Sequence, residues 1–171
     1  VITEGCREMK KTSLLILLLA GLVISLSGCS FFNRGPDIQN WQPGSSPEGD
    51  KIVFSSKVGK KFELFTLDPD TGGKTQLTNN DFDDWGPDWG PKGERIVFVS
   101  RRDDNTDIYM IDVDTGDELR LTTDSNQDVN PKWSSADSVV FNSDRTGSWE
   151  IFEISVESNK VTQLTFASES S

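Results

Sequence analysis

An all-β fold built from three copies of one four-stranded unit is predicted for this chain by three observations. First, the sequence repeats at an offset of 44 residues: Ile96-Val97-Phe98 follows Ile52-Val53-Phe54 at that distance, and Leu121-Thr122 follows Leu77-Thr78. Second, short apolar runs are separated by turn-forming clusters, among them Pro47-Glu48-Gly49, Asp70-Thr71-Gly72, Pro91-Lys92-Gly93 and Asp114-Thr115-Gly116. That is the spacing of strands and hairpins. Third, no segment after the N-terminal leader carries a sustained helical period.

Within each unit the elements follow in a fixed order. The first strand lies around Asp84-x-x-Pro87-x-Trp89, and again around Asp128-x-x-Pro131-x-Trp133. A Pro-x-Gly turn leads into the Ile-Val-Phe strand, and Arg101 to Thr106 are expected to form the next turn. The third strand alternates, with Ile108, Met110 and Val113 set among Asp107, Tyr109 and Asp112. Asp-Thr-Gly closes a hairpin into a last strand that ends at Leu-Thr. In the third copy the offset is 44 at Pro131 and 43 by Val139, so one residue is lost between Ser134 and Ser138. A four-stranded unit with a period in the forties is a propeller blade. Residues 41–171 therefore read as a partial β-propeller of three blades, at about 41–84, 85–128 and 129–166.

The pattern D-x-x-P-x-W-S-P-x-G, I-V-F-x-S, D/E-I-Y-x-x-D-x-D-T-G, L-T resembles the TolB-type β-propeller repeat over about residues 40–165. A WD-repeat propeller fits less well, because its Gly-His and Trp-Asp signatures are missing. The first unit departs from the pattern at Asn40 and Ser45, and the third at Ser135-Ala136-Asp137, where the Pro-x-Gly turn is lost. The resemblance implies a non-enzymatic binding surface beside the innermost strands, around a central channel. TolB uses a surface of this kind to engage a peptidoglycan-associated lipoprotein and other partners. The positions it singles out here are Asp84, Trp85, Asp88, Asp128, Asn130 and Lys132, whose acidic members favour a basic envelope protein or peptide. Replacing Asp84 and Asp128 together by Ala is expected to weaken capture without unfolding the chain. Trp89 and Trp133 recur in phase and read as packing between blades. Trp85 and Trp149 are read as out of phase and as candidates for surface contact.

Three blades fall short of the four to eight that usually close a propeller. Two readings stand side by side: a reading frame that stops before the ring is complete, which the abrupt C-terminus favours, and a half-ring that pairs with a second copy. As written, the end blades are expected to expose sheet faces and to be prone to association.

The leader gives the chain an address. Met9 is followed by Lys10 and Lys11, an apolar run from Leu14 to Leu26, and then Leu26-Ser27-Gly28-Cys29. A charged start, a short apolar core and small residues before a cut site are the pattern of an export signal. The run is shorter than the ~20 apolar residues of a spanning helix. Leu-Ser-Gly-Cys resembles the bacterial lipobox, which implies that Cys29 receives diacylglycerol and, after cleavage, becomes an acylated (palmitate-bearing) N-terminus. The expected organisation is upstream read-through at 1–8, a helical signal peptide at 9–28, and a lipidated N-terminus with linker at 29–40. An uncleaved helical anchor with an incidental Cys is the alternative. The lipid would tether the chain to a membrane without spanning it. In a host with two membranes, Ser30 is permissive for the periplasmic side of the outer membrane.

Composition removes several function classes. Both cysteines, Cys6 and Cys29, lie at or before the anchor, so no disulfide is expected beyond it. Removing Arg7, Lys10, Lys11, Glu4 and Glu8 with residues 1–28 leaves 14 basic and 26 acidic groups, a net charge of −12. That balance repels phosphate backbones and argues against nucleic acid. The chain has no histidine, which rules out a Ser-His-Asp triad or an imidazole-bound zinc within these residues. The Asp-Thr-Gly tripeptides at Asp70 and Asp114 look like aspartic-protease motifs, but they fall at the hairpin phase of the repeat. Asp103-x-Asn105-x-Asp107 imitates a calcium loop, yet Ile108 occupies the glycine position and belongs to a strand. Asp81, Asp83 and Asp84 read as a solvated acidic turn before they read as a cation site. No cofactor or metal is implied. An alternative function is the accessory propeller of a prolyl-oligopeptidase-type hydrolase whose catalytic half lies outside these residues, since no Gly-x-Ser-x-Gly elbow is present.

Overall fold

The computed structural model describes residues 40–167. The leader, Cys29 and the linker lie outside the described residues. The described part contains no helix and three antiparallel sheets of four strands each. The first sheet holds β1 (Asn40–Ser45), β2 (Ile52–Val58), β3 (Lys61–Leu67) and β4 (Lys74–Gln76). The second holds β5 (Asp83–Trp89), β6 (Arg95–Arg102), β7 (Asn105–Asp112) and β8 (Glu118–Arg120). The third holds β9 (Asp128–Trp133), β10 (Ser138–Ser143), β11 (Glu150–Ser155) and β12 (Val161–Gln163). In every sheet the spatial order follows the chain, so each is a four-stranded meander, as expected of a propeller blade. The blade limits shift slightly from the sequence expectation: Asp84 and Asp128 open the second and third blades and do not close the first and second.

Packing between blades runs mainly through the first strands. Strand β5 touches β1, β2 and β3, and β9 touches β5, β6 and β7. The middle blade is covered on both faces, and its strands sort their side chains accordingly. Ile96 and Phe98 of β6, with Tyr109 and Ile111 of β7, meet Val53 and Leu64 of the first blade. The alternate residues Val97, Val99, Ile108 and Met110 meet Val139, Phe141, Phe152 and Ile154 of the third blade. The period of two thus produces two cores, one on each side of one sheet. Val113, expected on the third strand with Ile108 and Met110, lies beyond its end and packs toward the first blade.

Trp89 sits in the core between the first two blades, and Trp133 packs against the core between the second and third. The Trp133 ring also lies over Gly90, where a Cβ would come within 3.0 Å of the Arg95 carbonyl and 3.2 Å of the indole. A side chain there would force the ring or the carbonyl to shift. The Arg101–Thr106 turn expected from sequence is shorter. Strands run to Arg102 and restart at Asn105, leaving a two-residue turn in which Asp103 and Asp104 both take positive φ (52° and 63°). Two consecutive positive φ values are the type I′ geometry that matches strand twist. The Asp-Thr-Gly segments are hairpin turns. Asp68 and Asp112 each accept backbone N–H bonds from the second and third residues downstream. Those bonds hold both carboxyls below the usual aspartate range, with the Thr71 and Thr115 amides contributing most.

Candidate binding site

The first strand of each blade carries the same irregularity. Its pairing with the second strand shifts between Trp41 and Gly44, between Trp85 and Asp88, and between Val129 and Lys132. Gln42, Gly86 and Asn130, the residues before the three prolines, all have positive φ at these bulges. Proline lacks an N–H to donate, so it is tolerated on these inner edge strands. The bulge re-aims the flanking side chains, which are the positions expected from sequence to form a binding surface.

Those positions divide into three roles. Asp84 and Asp128 are fully buried. Asp84 accepts from Ser100 Oγ at 2.5 Å and from Asn80 Nδ2 at 2.9 Å. Asp128 accepts two bonds from Arg145 Nη2 at 2.9 and 3.0 Å. Their oxygens are committed inside the fold, so the expectation that they meet a partner is corrected: a buried carboxylate without such bonds would cost several kcal/mol (about 3–5 for a broken buried pair), and they serve to hold the blade. Asp88 and Lys132, 44 residues apart, form an ion pair between neighbouring blades at 2.8 Å. Asp88 also accepts the Trp133 backbone N–H at 2.9 Å. Asn130 is exposed at its bulge. Trp85 opens onto a cavity.

That cavity, about 470 Å³, lies between the first two blades. Trp41, Phe62 and Trp85 supply aromatic walls, and Lys57, Lys60 and Arg101 supply three cations. Gln42 and Ser55 add polar groups, the Ser55 hydroxyl donating to the Trp41 carbonyl at 3.1 Å. Trp41 is 54% exposed and meets Phe62 edge-on at 6.4 Å. The Arg101 guanidinium stands 5.7 Å over the Trp85 ring. The one carboxylate in the lining, Asp83, is engaged by Arg101 at 3.1 Å and Lys61 at 3.8 Å, and it accepts the Phe62 backbone N–H at 3.0 Å. In a chain of net charge −11 the cleft is a local cationic and aromatic surface. Sequence reasoning missed it and held that Trp85 stands out of phase. Trp85 is in phase: it pairs with Val99 as Trp41 pairs with Ser55, 44 residues earlier, and Arg101 stands 44 after Lys57. The third blade has Val129 and Asp144 at the matching places, so the composition is confined to this junction. Trp149, 53% exposed, lies on the third blade away from the cleft.

Three further acids are buried at one repeat position. Glu63, Asp107 and Glu150 accept from the hydroxyls of Thr78, Thr122 and Thr165, whose oxygens accept the N–H of Leu64, Ile108 and Ile151. Burial raises Glu63, Asp84 and Asp107 above the usual carboxylate range, with the hydroxyl, amide and guanidinium partners opposing it. No group of three His, Cys, Asp or Glu among the described residues is placed to hold a metal ion. Asp83 and Asp84, expected in a solvated acidic turn, lie in strand β5 and are already bonded elsewhere, and Ile108 is in strand β7.

Comparison with known proteins is consistent with this geometry. Residues 41–171 match the family model of the TolB beta propeller domain. TolB from Acinetobacter baumannii superposes with a TM-score of 0.69 at 27% identity, over 75% of this chain and 33% of that one. A protein assigned as TolB from Agrobacterium tumefaciens gives 0.69 at 32% identity, over 74% of this chain and 46% of that one. A puromycin-hydrolyzing peptidase from Mycobacterium tuberculosis gives 0.63 at 15% identity, over 76% of this chain and 24% of that one, a likeness of fold alone. The chain thus spans less than half the length of these relatives. It has no match among curated proteins.

Proposed function

The chain belongs to the TolB beta propeller domain family, and from that premise we propose that it is a non-enzymatic binding module. In this reading the lipid on Cys29 tethers it to the cell envelope, and the Trp41–Trp85 cleft takes an acidic, partly apolar segment of an envelope protein or peptide. The observation that carries the proposal is the cleft's lining: three aromatic rings and three cations around one carboxylate that is already neutralised. Aromatic rings supply contact area at low entropic cost, and guanidinium and ammonium groups select carboxylates. The partner is therefore acidic, where the sequence alone suggested a basic one.

The tether would matter to such binding. Asn40 pairs with Ser56, at the end of the sheet where the cleft opens. The eleven residue-to-residue steps from Cys29 to Asn40 reach at most about 40 Å. A lipid at Cys29 would keep the cleft within that distance of the bilayer and raise its effective concentration toward membrane-bound partners.

The test uses fluorescent decapeptides of equal length, acidic-aromatic, basic-aromatic and neutral, titrated against the full chain in detergent. The acidic-aromatic peptide should bind best, weaken as salt rises, and lose at least tenfold in affinity when Lys57, Lys60 and Arg101 are replaced together by Ala. Preference for the basic peptide, or indifference to the triple substitution, would refute the assignment. The tether is tested separately. Cells fed labelled palmitate should label the wild-type chain, and Cys29→Ser should abolish the label and release the protein from the membrane fraction. The likeness to peptidase propellers is one of fold alone, and these residues contain no histidine for a triad.

A further inference from the structure

The two junctions between blades differ where a fourth strand passes an arginine. Arg102 at the first junction and Arg145 at the second occupy the same repeat position. Each lies over an aromatic ring of its own third strand, 4.1 Å from Tyr109 and 4.8 Å from Phe152. Each donates from Nε to the serine two residues before it, at 2.9 Å. At the first junction Nη2 of Arg102 turns to the carboxylate of Glu118 on β8. Glu118 pairs with Ile111 as Val161 pairs with Ile154, so the residue in register on β12 is Val161. The carboxylate that the chain supplies at the first junction is thus missing at the second. There Nη2 of Arg145 goes to the buried Asp128.

A cavity of about 390 Å³ between the second and third blades is lined by Arg145, Val161 and a second arginine, Arg120. Arg120 holds the position of Gln76 and Gln163 in the other two blades. All three donate to the carbonyl of the threonine two residues on, at 2.9, 2.8 and 2.8 Å. A glutamine therefore suffices for that bond, and the arginine adds a charge. Arg120 spends Nε on the Thr122 carbonyl and Nη2 on Asp107, as Arg145 spends Nε and Nη2 on Ser143 and Asp128. Among the described residues Nη1 of neither guanidinium is bonded, so each keeps donors for a ligand. Thr123 and Asn159 add polar groups to the lining, and Leu121 with Val161 adds an apolar wall.

From this we propose that the cavity binds a monocarboxylate, whose charged group takes the place that Glu118 fills at the first junction. Guanidinium groups match carboxylates in geometry as well as charge, and Val161 with Leu121 receives the carbon chain behind the group. Local charge fixes the class. At the first junction the carboxyls of Glu63, Asp84 and Glu118 act on one another beside one cation, Arg102. At the second, Asp107, Asp124 and Asp128 stand beside two cations, Arg120 and Arg145. One bound monocarboxylate brings the second junction to the balance that the first already carries, whereas a dianion overshoots it. The site shares no residue with the Trp41–Trp85 cleft and lies at the other junction, so the two proposals fail separately.

The test is titration calorimetry of the full chain in detergent. Its probes are butyrate, the neutral butyramide, the dianions succinate and sulfate, and a glutamate blocked at both ends. Butyrate should bind, butyramide should not, and the dianions should bind more weakly than butyrate. The blocked glutamate presents the same group as a side chain, and the tighter of it and butyrate identifies whether the source is a peptide or a free acid. Arg120→Gln, the residue that the other two blades carry, keeps a donor for the Thr122 carbonyl and should weaken butyrate about tenfold. Val161→Glu supplies the carboxylate from within the chain. It should abolish binding while leaving the urea midpoint no lower than that of the wild type, whereas Val161→Thr, of similar shape and uncharged, should bind as before. The proposal is overturned if neither butyrate nor the blocked glutamate saturates the chain. It is also overturned if sulfate or succinate binds as tightly as butyrate, or if binding survives Val161→Glu.

Discussion

Replacing Asp84 or Asp128 by Ala should destabilise the fold before it affects any partner. Asp84 accepts two bonds inside a fully buried site. Hydrogen bonds to a charged group contribute about 1.5–3 kcal/mol each, and relief from burying the carboxylate offsets part of their loss. A net cost of about 2–4 kcal/mol follows. Asp128→Ala strips half-buried Arg145 of both its bonds to a carboxylate and leaves it the Ser143 hydroxyl alone, where breaking a fully buried pair typically costs about 3–5 kcal/mol. The Arg145 side chain keeps 16% exposure and can recover some hydration, so the lower end, about 3 kcal/mol, applies. The two sites share no bonding partner, so their effects should add to about 5–7 kcal/mol. Against a usual domain stability of about 5–15 kcal/mol, the double variant is at the edge of folding. Urea titration followed by fluorescence of the five tryptophans measures this. With a slope of about 1–3 kcal/mol per molar, each single variant should lower the midpoint by about 1–2 M. Lys132→Ala, at a 61% exposed side chain, serves as the control and should stay within about 0.5 kcal/mol. If the aspartate variants fall within that same margin, the buried-tie account is wrong.

Three other outcomes follow from the same structure. Glu63, Asp84 and Asp107 have raised carboxyl pKa values in the fold. Their protonated forms favour folding, so that contribution is full below the unfolded values of about 3.8–4.5 and is lost as pH rises through the raised ones. Asp68, Asp112 and Asp124 are lowered, so their contribution holds above about 3.8 and is lost below it. Thermal melts should therefore peak on the acid side of neutrality, and a midpoint that falls steadily from pH 7 to pH 5 would contradict the assignment. Asp104→Gly should stabilise the β6–β7 turn by about 0.5–1 kcal/mol in urea, because φ of 63° strains a side chain and not glycine. Gly90→Ala should cost about 1–3 kcal/mol in the same assay, since its Cβ would press on the Arg95 carbonyl and the Trp133 ring.

The repeat made the fold legible, because each strand could be read three times against itself. Register, blade number and the hairpin role of Asp-Thr-Gly all follow from phase and turn chemistry. Burial at the first-strand aspartates did not, since phase says that Asp84 and Asp128 are equivalent but not which way they point. An acid beside a predicted channel looks like a ligand contact until its bonds to Ser100, Asn80 or Arg145 are seen. The cleft was legible in part. Comparing Trp41 with Trp85 and Lys57 with Arg101 at the common offset would have found its two repeat-equivalent pairs. Lys60 and Phe62 could not have been added that way, because the matching positions in the second blade are Asp104 and Thr106. They reach the cleft only because the tight β2–β3 turn lies beside β5 and the end of β6.

The two junctions also show how the repeat tolerates its own variation. At the first, Asn80 donates its backbone N–H to Glu63 at 3.2 Å and its side-chain amide to Asp84 at 2.9 Å, joining the third strand of one blade to the first strand of the next. At the second junction the residue in phase is Asp124, which has no amide to donate, and a third acid there would face Asp107 and Asp128. The chain compensates from elsewhere. Asn105 donates to Asp107 and to the Asp124 carbonyl, Asn126 caps the Asp124 carboxylate, and Arg145 satisfies both oxygens of Asp128. Arg120 places a cation on Asp107 at 2.7 Å. One Asn-to-Asp difference between copies has therefore shifted donation from a neutral amide to guanidinium groups. It follows that Asn80→Asp alone should be costly, since Arg102, which stands at the first junction where Arg145 stands at the second, pairs with Glu118 and makes no hydrogen bond to Asp84. Adding Glu118→Gln, which releases Arg102 toward Asp84, should recover part of the loss, and a double variant no more stable than Asn80→Asp in urea would show that the compensation is not local.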